Sequence, residues 1–369
     1  MIRIDEIYYN TFLPVVKKLP YHSIHWFDPF GSTDFEDLCS QPSISSALPN
    51  DPMKPNHACR RILFWDQEPL HNELVDITLS KFKKMFNSGK TYIVTSEQDS
   101  ENVEYVCSNY GFESLYYFFH GWSALDWYRG YDKTYLIDPP PARNPTKTFI
   151  APNRIIAGKR QHRLEMLYWI FKLGLTDNHI SCPIVCPAEN ISIYDAVKSL
   201  PFDDAEQVFR LAPLPIVFEG EVDHPMHSCW LSLFDQSADS LLYLVTETVA
   251  NGRRQHLTEK TFKPIALGMP FIIVGTAGSL EYLRSYGFKT FGHLWDESYD
   301  TIEDPHKRIR SIAGVLQGLC DLSVTERIEL YKAALPTIEH NYNHFYSGGF
   351  EAVLWDELQG MLERVKSGL

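Results

Sequence analysis

Between Ser240 and Gly278 the sequence reads SLLYLVTETVANGRRQHLTEKTFKPIALGMPFIIVGTAG, and its centre gathers Glu247, Asn251, Arg253, Arg254, His256, Thr258, Glu259 and Lys260. Thr258 is of the type that caps a helix, which puts Glu259 and Lys260 in a first turn. At a helix N-terminus the aligned peptide dipoles favour an anion, and a lysine with two arginines strengthens that preference. A carboxylate beside them can hold ribose hydroxyls. The chemistry that suits these types is the binding of a nucleotide diphosphate; the plain alternative is an amphipathic helix with a solvated Glu-Lys pair. A second basic group, Lys159, Arg160, His162 and Arg163, opens another helical stretch. Cations there oppose the macrodipole by ~0.3–1 kcal/mol each. Either an anionic ligand or nearby carboxylates would relieve the conflict. In the first half, carboxylates follow apolar runs: Asp66 and Glu68 after RILFW, Glu97 after YIVTS, and Asp126 after YYFFHGWSAL.

These residues need elements to hold them. Leu241–Val245 and Phe271–Val274 are short apolar runs of the kind that form buried parallel strands. With the helix between them, stopped by Gly268 and Pro270, they make a strand, loop, helix, strand unit, and Pro264 predicts a kink in that helix or a later start. In open α/β sheets ligands lie outside the carboxyl ends of the strands, so the residues from Glu247 to Lys260 are expected to line one crevice. Upstream, a strand at Thr148–Ala151 leads through PNRIIAGKR into a helix over Arg160–Leu173, with Leu164, Leu167, Ile170 and Phe171 inward. The first half opens with a strand at Ser23–Phe27 and then reads βαβαβ: strands at Arg61–Trp65, Tyr92–Val94 and Leu115–Phe119, and helices over Leu70–Phe86 and on to about Asn109, with Gly111 as a cap. The proline-rich stretch Asp138–Pro145 is the linker candidate. Beyond Ala277 the pattern predicts a helix at Ser279–Tyr286, a strand at Lys289–Gly292, then helices at Pro305–Leu319, Val324–His340 and Gly349–Lys366.

The 369 residues suffice for two domains, and 44% hydrophobic with 14% aromatic content fills two cores. With 34 Lys and Arg against 47 Asp and Glu, the formal net charge is -13, which argues against general affinity for nucleic acid or anionic membranes. The start, MIRIDEIYYNTF, has no apolar core of a signal peptide, and no run approaches ~20 apolar residues. A soluble cytoplasmic protein without a membrane span is expected. Seven cysteines fit free thiols in a reducing compartment. His179, Cys182, Cys186, His224, His227 and Cys229 have permissible zinc types, but their spacing is irregular and buried thiols with polar histidines account for them better. No Asp-x-Asp, Walker, Gly-x-Gly-x-x-Gly, Gly-x-Ser-x-Gly or His-Glu-x-x-His pattern occurs.

The Glu247 segment, a loop, HLTEK, a helix and PFIIVG together resemble the nucleotide-sugar motif of the alpha-1,3-fucosyltransferase family of inverting glycosyltransferases. The family pattern is Phe-Glu-Asn, a loop, Tyr-Val-Thr-Glu-Lys, a helix, then Pro-Ile and a Gly-rich turn. The chain departs from it in Thr248 after Glu247, in a slightly longer loop, and in His256 where the family has a Tyr; these departures touch the base and sugar more than the reaction type. Because animal members are membrane-anchored, the likeness is to soluble bacterial or viral relatives, in the host cytoplasm if viral. The resemblance implies a GT-B architecture: an α/β fold of two doubly wound Rossmann-like domains facing a cleft. It predicts an acceptor domain at 1–145, a donor domain at 146–345 and a C-terminal helix at 346–369 that returns to the first. It also implies a nucleotide-diphosphate sugar as donor substrate, with no further cofactor and no metal. The donor set carried over is Arg154, Arg160, Arg163, Glu247, Arg254, His256, Thr258, Glu259 and Lys260, with Arg163 preferred to Arg160 for the diphosphate by its place before LEML. FWDQEP resembles the strand end that carries the general base, which assigns that role to Glu68, with Asp66 next. The acceptor is then a hydroxyl, by family default of a glycan. The alternatives are a viral enzyme acting on hydroxymethylated bases in DNA and a non-catalytic nucleotide- or sugar-binding protein of the same fold.

Overall fold

The computed structural model describes residues 22–26, 60–81, 90–130, 143–218 and 231–367. Its chain divides into two compact units, the first from 1–126, 252–256 and 351–369, the second from 127–251 and 257–350. The first break falls after Asp126 and not near 145. Tyr128 donates to the Glu259 carbonyl at 3.3 Å, and Arg143 donates to the Ser237 and Leu267 carbonyls at 2.5 Å, so both are bonded into the second unit. Pro139, Pro140 and Pro141 of the expected linker lie outside the described residues.

The first unit holds a four-stranded parallel sheet in the order β1 (His22–Trp26), β2 (Arg60–Trp65), β3 (Thr91–Thr95), β4 (Glu113–Tyr116). Among these strands the order runs one way, without the reversal of a doubly wound sheet. Ile62, Leu63, Phe64 and Trp65 of β2 and Tyr92, Ile93 and Val94 of β3 are buried, as strands covered on both faces must be. Two helices follow the pattern of their sequence. α1 (Asn72–Lys81) buries Val75 and Leu79; the expected extension to Phe86 lies outside the described residues. α2 (Glu101–Tyr110) is capped by Ser100 and ends at Gly111, whose φ of 68° is the left-handed conformation that a β-carbon disfavours. The expected strand at Leu115–Phe119 is a correction: β4 ends at Tyr116, and Phe119–Leu125 is a wholly buried helix, α3. A continuous apolar run suits a buried strand or a buried helix equally, so periodicity could not separate them.

The second unit has its own parallel sheet: β5 (Lys147–Ala151), β6 (His179–Ile180), β9 (Ser240–Thr246) and β10 (Phe271–Val274), in the order β10-β9-β5-β6. A two-stranded hairpin, β7 (Val185–Cys186) with β8 (Ile191–Ser192), stands apart. The helices are α4 (Gln161–Lys172), α5 (Ile193–Ala196), α6 (Ala205–Leu211), α7 (Phe234–Ala238), α8 (Glu259–Ala266), α9 (Ser279–Ser285), α10 (Pro305–Cys320) and α11 (Val324–Tyr346). All of β9 and β10 is buried. α8 is capped by Thr258, as expected, and contains Pro264, whose absent donor would have met the Lys260 carbonyl. The expected strand at Lys289–Gly292 is not formed. Its backbone is held by side chains instead: Asn341 bonds both the N–H and the carbonyl of Lys289, and the Glu297 carboxylate accepts from the Phe291 N–H. α11 runs past His340 because Asn341, Tyr342 and Phe345 turn inward on the same helix. The last helix, α12 (Gly349–Ser367), belongs from Glu351 onward to the first unit, where Trp355 packs edge-on to Trp122 and Glu357 accepts from the Phe118 N–H.

No helix among the described residues is long and apolar enough to cross a membrane.

Candidate functional site

In the second sheet the chain moves from β5 to one side, β6, then returns to the other side of β5 for β9 and β10. The strand order therefore reverses between β5 and β9, and the loops leaving their carboxyl ends flank the place where such sheets hold ligands. Those loops carry Asn153, Arg154 and Arg160 on one side and Glu247 to Thr248 on the other, with Thr258 to Lys260 at the start of α8.

Glu247 is the knot of this region. It is fully buried, and its carboxylate accepts four hydrogen bonds: from the Thr248 N–H at 3.0 Å, the Thr258 N–H at 3.1 Å, the Thr258 hydroxyl at 2.6 Å and the Thr261 hydroxyl at 2.7 Å. A buried carboxylate requires such saturation. One side chain thus ties the end of β9 to the cap and first turn of α8. Its carbonyl is engaged as well, accepting from His162 Nε2 at 2.8 Å and from Arg163 Nη2 at 3.0 Å. Arg163 also donates to the Ile155 carbonyl at 3.0 Å, so its guanidinium clasps the β5 loop to the β9 loop. Burial, then the charge of neighbouring Arg160, brings Arg163 down to about 10, where it stays protonated at neutral pH. Burial, then Arg163, brings His162 down to about 3, so this ring is neutral and donates from Nε2. Asn153 joins the strand ends, accepting from the Thr246 hydroxyl at 2.9 Å and donating its backbone N–H to Ser181 Oγ at 2.7 Å.

The cations differ in kind. Arg163 is buried on backbone carbonyls, whereas Arg160 is half-buried at the entrance to α4. Neither that helix nor the short 3₁₀ turn Gly158–Arg160 before it has a side-chain cap or an acidic residue in its first turn. The N-terminus of α9, by contrast, is filled: Asp300 accepts from the N–H groups of Leu280 and Glu281. Lys260 Nζ lies 2.6 Å from Glu259 Oε1 and 3.3 Å from the Thr248 hydroxyl, with the Glu259 side chain buried and that of Lys260 29% exposed. Arg154 is half-buried in the β5 loop.

Arg254 and His256 belong to the first unit. Gln255 pairs antiparallel with Gln98, in bonds of 3.0 and 2.7 Å. Arg254 is buried against Glu97 at 3.2 Å and the Leu70 carbonyl at 3.0 Å, and Glu97 also accepts from the Leu70 N–H and from Ser100 Oγ. Gly252 enters this segment at φ 79°, and a β-carbon there would stand 2.6 Å from Glu101 Oε1. His256 Nδ1 is 3.3 Å from the Ser96 carbonyl, and its ring meets His120 edge-on. The carboxylates expected to do proton chemistry stand at the β2 end of the same unit, Asp66 buried and bonded to the Tyr117 hydroxyl, Glu68 half-buried.

Thr261 and Ser181 carry no distinguishing sequence signal; threonine at the third position of a helix is visible in the sequence, but its acceptor is not. Among the described residues no group of three or more His, Cys, Asp and Glu is disposed to hold a metal ion. His224, His227 and Cys229 of the zinc-type set lie outside them, and His179 pairs with Asp239. Comparison with protein-family models, curated proteins and solved structures finds no match.

Proposed function

We propose that the chain is an inverting glycosyltransferase of the GT-B class, which moves a sugar from a nucleotide-diphosphate donor to a hydroxyl acceptor. The observation that carries this reading is the β5/β9 reversal of the second sheet. There an uncapped helix N-terminus with Arg160 and a capped one with Lys260 adjoin loops held by Glu247 and Arg163. Arg160, Lys260 and the entrance of α4 beyond Gln161, whose own N–H bonds the Gly158 carbonyl, receive the diphosphate, whose negative charge grows as it leaves. Glu259 takes the ribose hydroxyls once Lys260 turns from it to phosphate. Glu247 and Arg163 position these groups without touching the donor. In the transfer step the acceptor oxygen bonds to the anomeric carbon, the bond from that carbon to the phosphate oxygen breaks, and the acceptor proton passes to a carboxylate. Glu68, with Asp66 as the alternative, is the candidate for that base.

A thermal-shift screen of nucleoside diphosphates and their sugars tests the binding half, since a specific ligand stabilises by mass action. A donor that stabilises the protein and is slowly hydrolysed is the expected result. No shift with any nucleoside diphosphate or nucleotide sugar refutes the reading. Binding without hydrolysis or transfer to any hydroxyl acceptor would favour the non-catalytic binding protein.

A further inference from the structure

Arg308, in the first turn of α10, is as deeply buried as any cation among the described residues of the second unit, with 2% of its surface exposed. Its partners are all backbone carbonyls: Gly275 through Nε at 2.9 Å, Ala250 through Nη2, and Ile302 and Glu303 through Nη1. Ala250 lies in the loop leaving β9, and Gly275 is the first residue after β10. Arg163 makes the corresponding connection one strand over, between Ile155 after β5 and Glu247 after β9. Two guanidiniums on two different helices therefore join three consecutive carboxyl-end loops in series, β5 to β9 to β10.

We propose that Arg308 is a positioning residue for the anion site: with Arg163 it sets the spacing of the three loops, and it contacts no ligand itself. The choice of arginine follows from geometry. A planar guanidinium can serve carbonyls on separate segments at fixed angles, while an ammonium has fewer donors on one atom and cannot span them. Loss of the fork leaves buried carbonyls from two loops without donors, and the β9 loop, which continues into the cap of α8, is released from the β10 side. The extension from loop spacing to ligand affinity rests on the diphosphate reading above; the spacing itself does not.

The test uses the full chain with Arg308→Lys and Arg308→Gln. In the ligand-free protein, amide exchange should quicken in the segments 248–251 and 275–278 of both variants while the amides of β5 and β9 keep their protection. Unchanged exchange in those two segments overturns the proposal whatever the protein binds. Titration with inorganic pyrophosphate and with ADP, GDP, UDP and CDP should show affinity for the preferred diphosphate lowered about ten-fold or more in both variants alike, a loss of roughly one charged hydrogen bond's effect. Affinity restored by Arg308→Lys would mean that the residue acts through its charge, and parental affinity in both variants would mean that loop spacing is irrelevant to binding; each overturns the positioning role. If the parent binds none of the five probes, the diphosphate reading fails, and the exchange measurement still decides the staple.

Discussion

Replacing Glu247 by glutamine changes one atom in a fully buried site. Each carboxylate oxygen accepts one backbone N–H and one hydroxyl: Oε1 takes Thr258 N and Thr261 Oγ1, Oε2 takes Thr248 N and Thr258 Oγ1. Whichever oxygen becomes the amide nitrogen, its hydroxyl partner can rotate and accept, but its backbone N–H now faces a donor. An unsatisfied buried donor costs about 1–3 kcal/mol. The two contacts at the remaining oxygen fall from charge-assisted to neutral strength, about 1 kcal/mol each. Removing a buried charge returns part of this. A net loss of about 2–4 kcal/mol follows. Urea unfolding of parent and Glu247→Gln measures it, and amide exchange at Thr248 and Thr258 locates it. A double-mutant cycle with Thr261→Val sharpens the test, because residues that share a hydrogen bond couple by about 0.5–3 kcal/mol. A Glu247→Gln protein within about 0.5 kcal/mol of the parent, or a cycle with no coupling, would refute the view that this carboxylate holds the β9 loop to α8.

Four further outcomes are expected. His162 is held down to about 3 by burial, then by Arg163, whereas in the unfolded chain it titrates near its ordinary value of 6.5. Its contribution to stability is complete above about pH 6.5 and is lost as the pH falls toward 3, on the order of 2 kcal/mol by pH 5. His162→Gln keeps a donor to the Glu247 carbonyl and should flatten that loss in urea midpoints compared at pH 5 and pH 8. Lys260→Ala should weaken donor binding by about ten-fold or more without unfolding the protein, because the lysine is partly exposed at the proposed diphosphate site; equal affinity by calorimetry removes it from that site. Glu259→Gln should act with two signs, strengthening pyrophosphate by freeing Lys260 from its 2.6 Å partner and weakening the nucleotide through the ribose; one sign for both ligands rejects the exchange of partners. Glu68→Gln should keep donor affinity and lose about 10²–10⁴-fold in transfer rate, while a selective loss in Asp66→Asn moves the base two residues upstream.

The sequence by itself determined the local grammar. Thr258, Ser100 and Ser323 cap the helices they precede, and the apolar runs RILFW, TYIVT and FIIV become strands. These signals act within one turn or one strand, where the responsible atoms are neighbours in the chain. The tertiary structure decided what depends on partners far away. It drew Arg163 inward onto Glu247, 84 residues distant, and left Arg160 at the helix entrance, a choice that two arginines three apart do not announce. It placed Arg254 and His256 with Glu97 and Ser96 of the first unit, although in sequence they adjoin Lys260. It ended β4 at Tyr116 and left Lys289–Gly292 without a ladder, because Asn341 and Glu297 satisfy that backbone from other elements. Strand order belongs to the same class: the reversal between β5 and β9 that marks the candidate site arises from which strands pair, and no residue type encodes it.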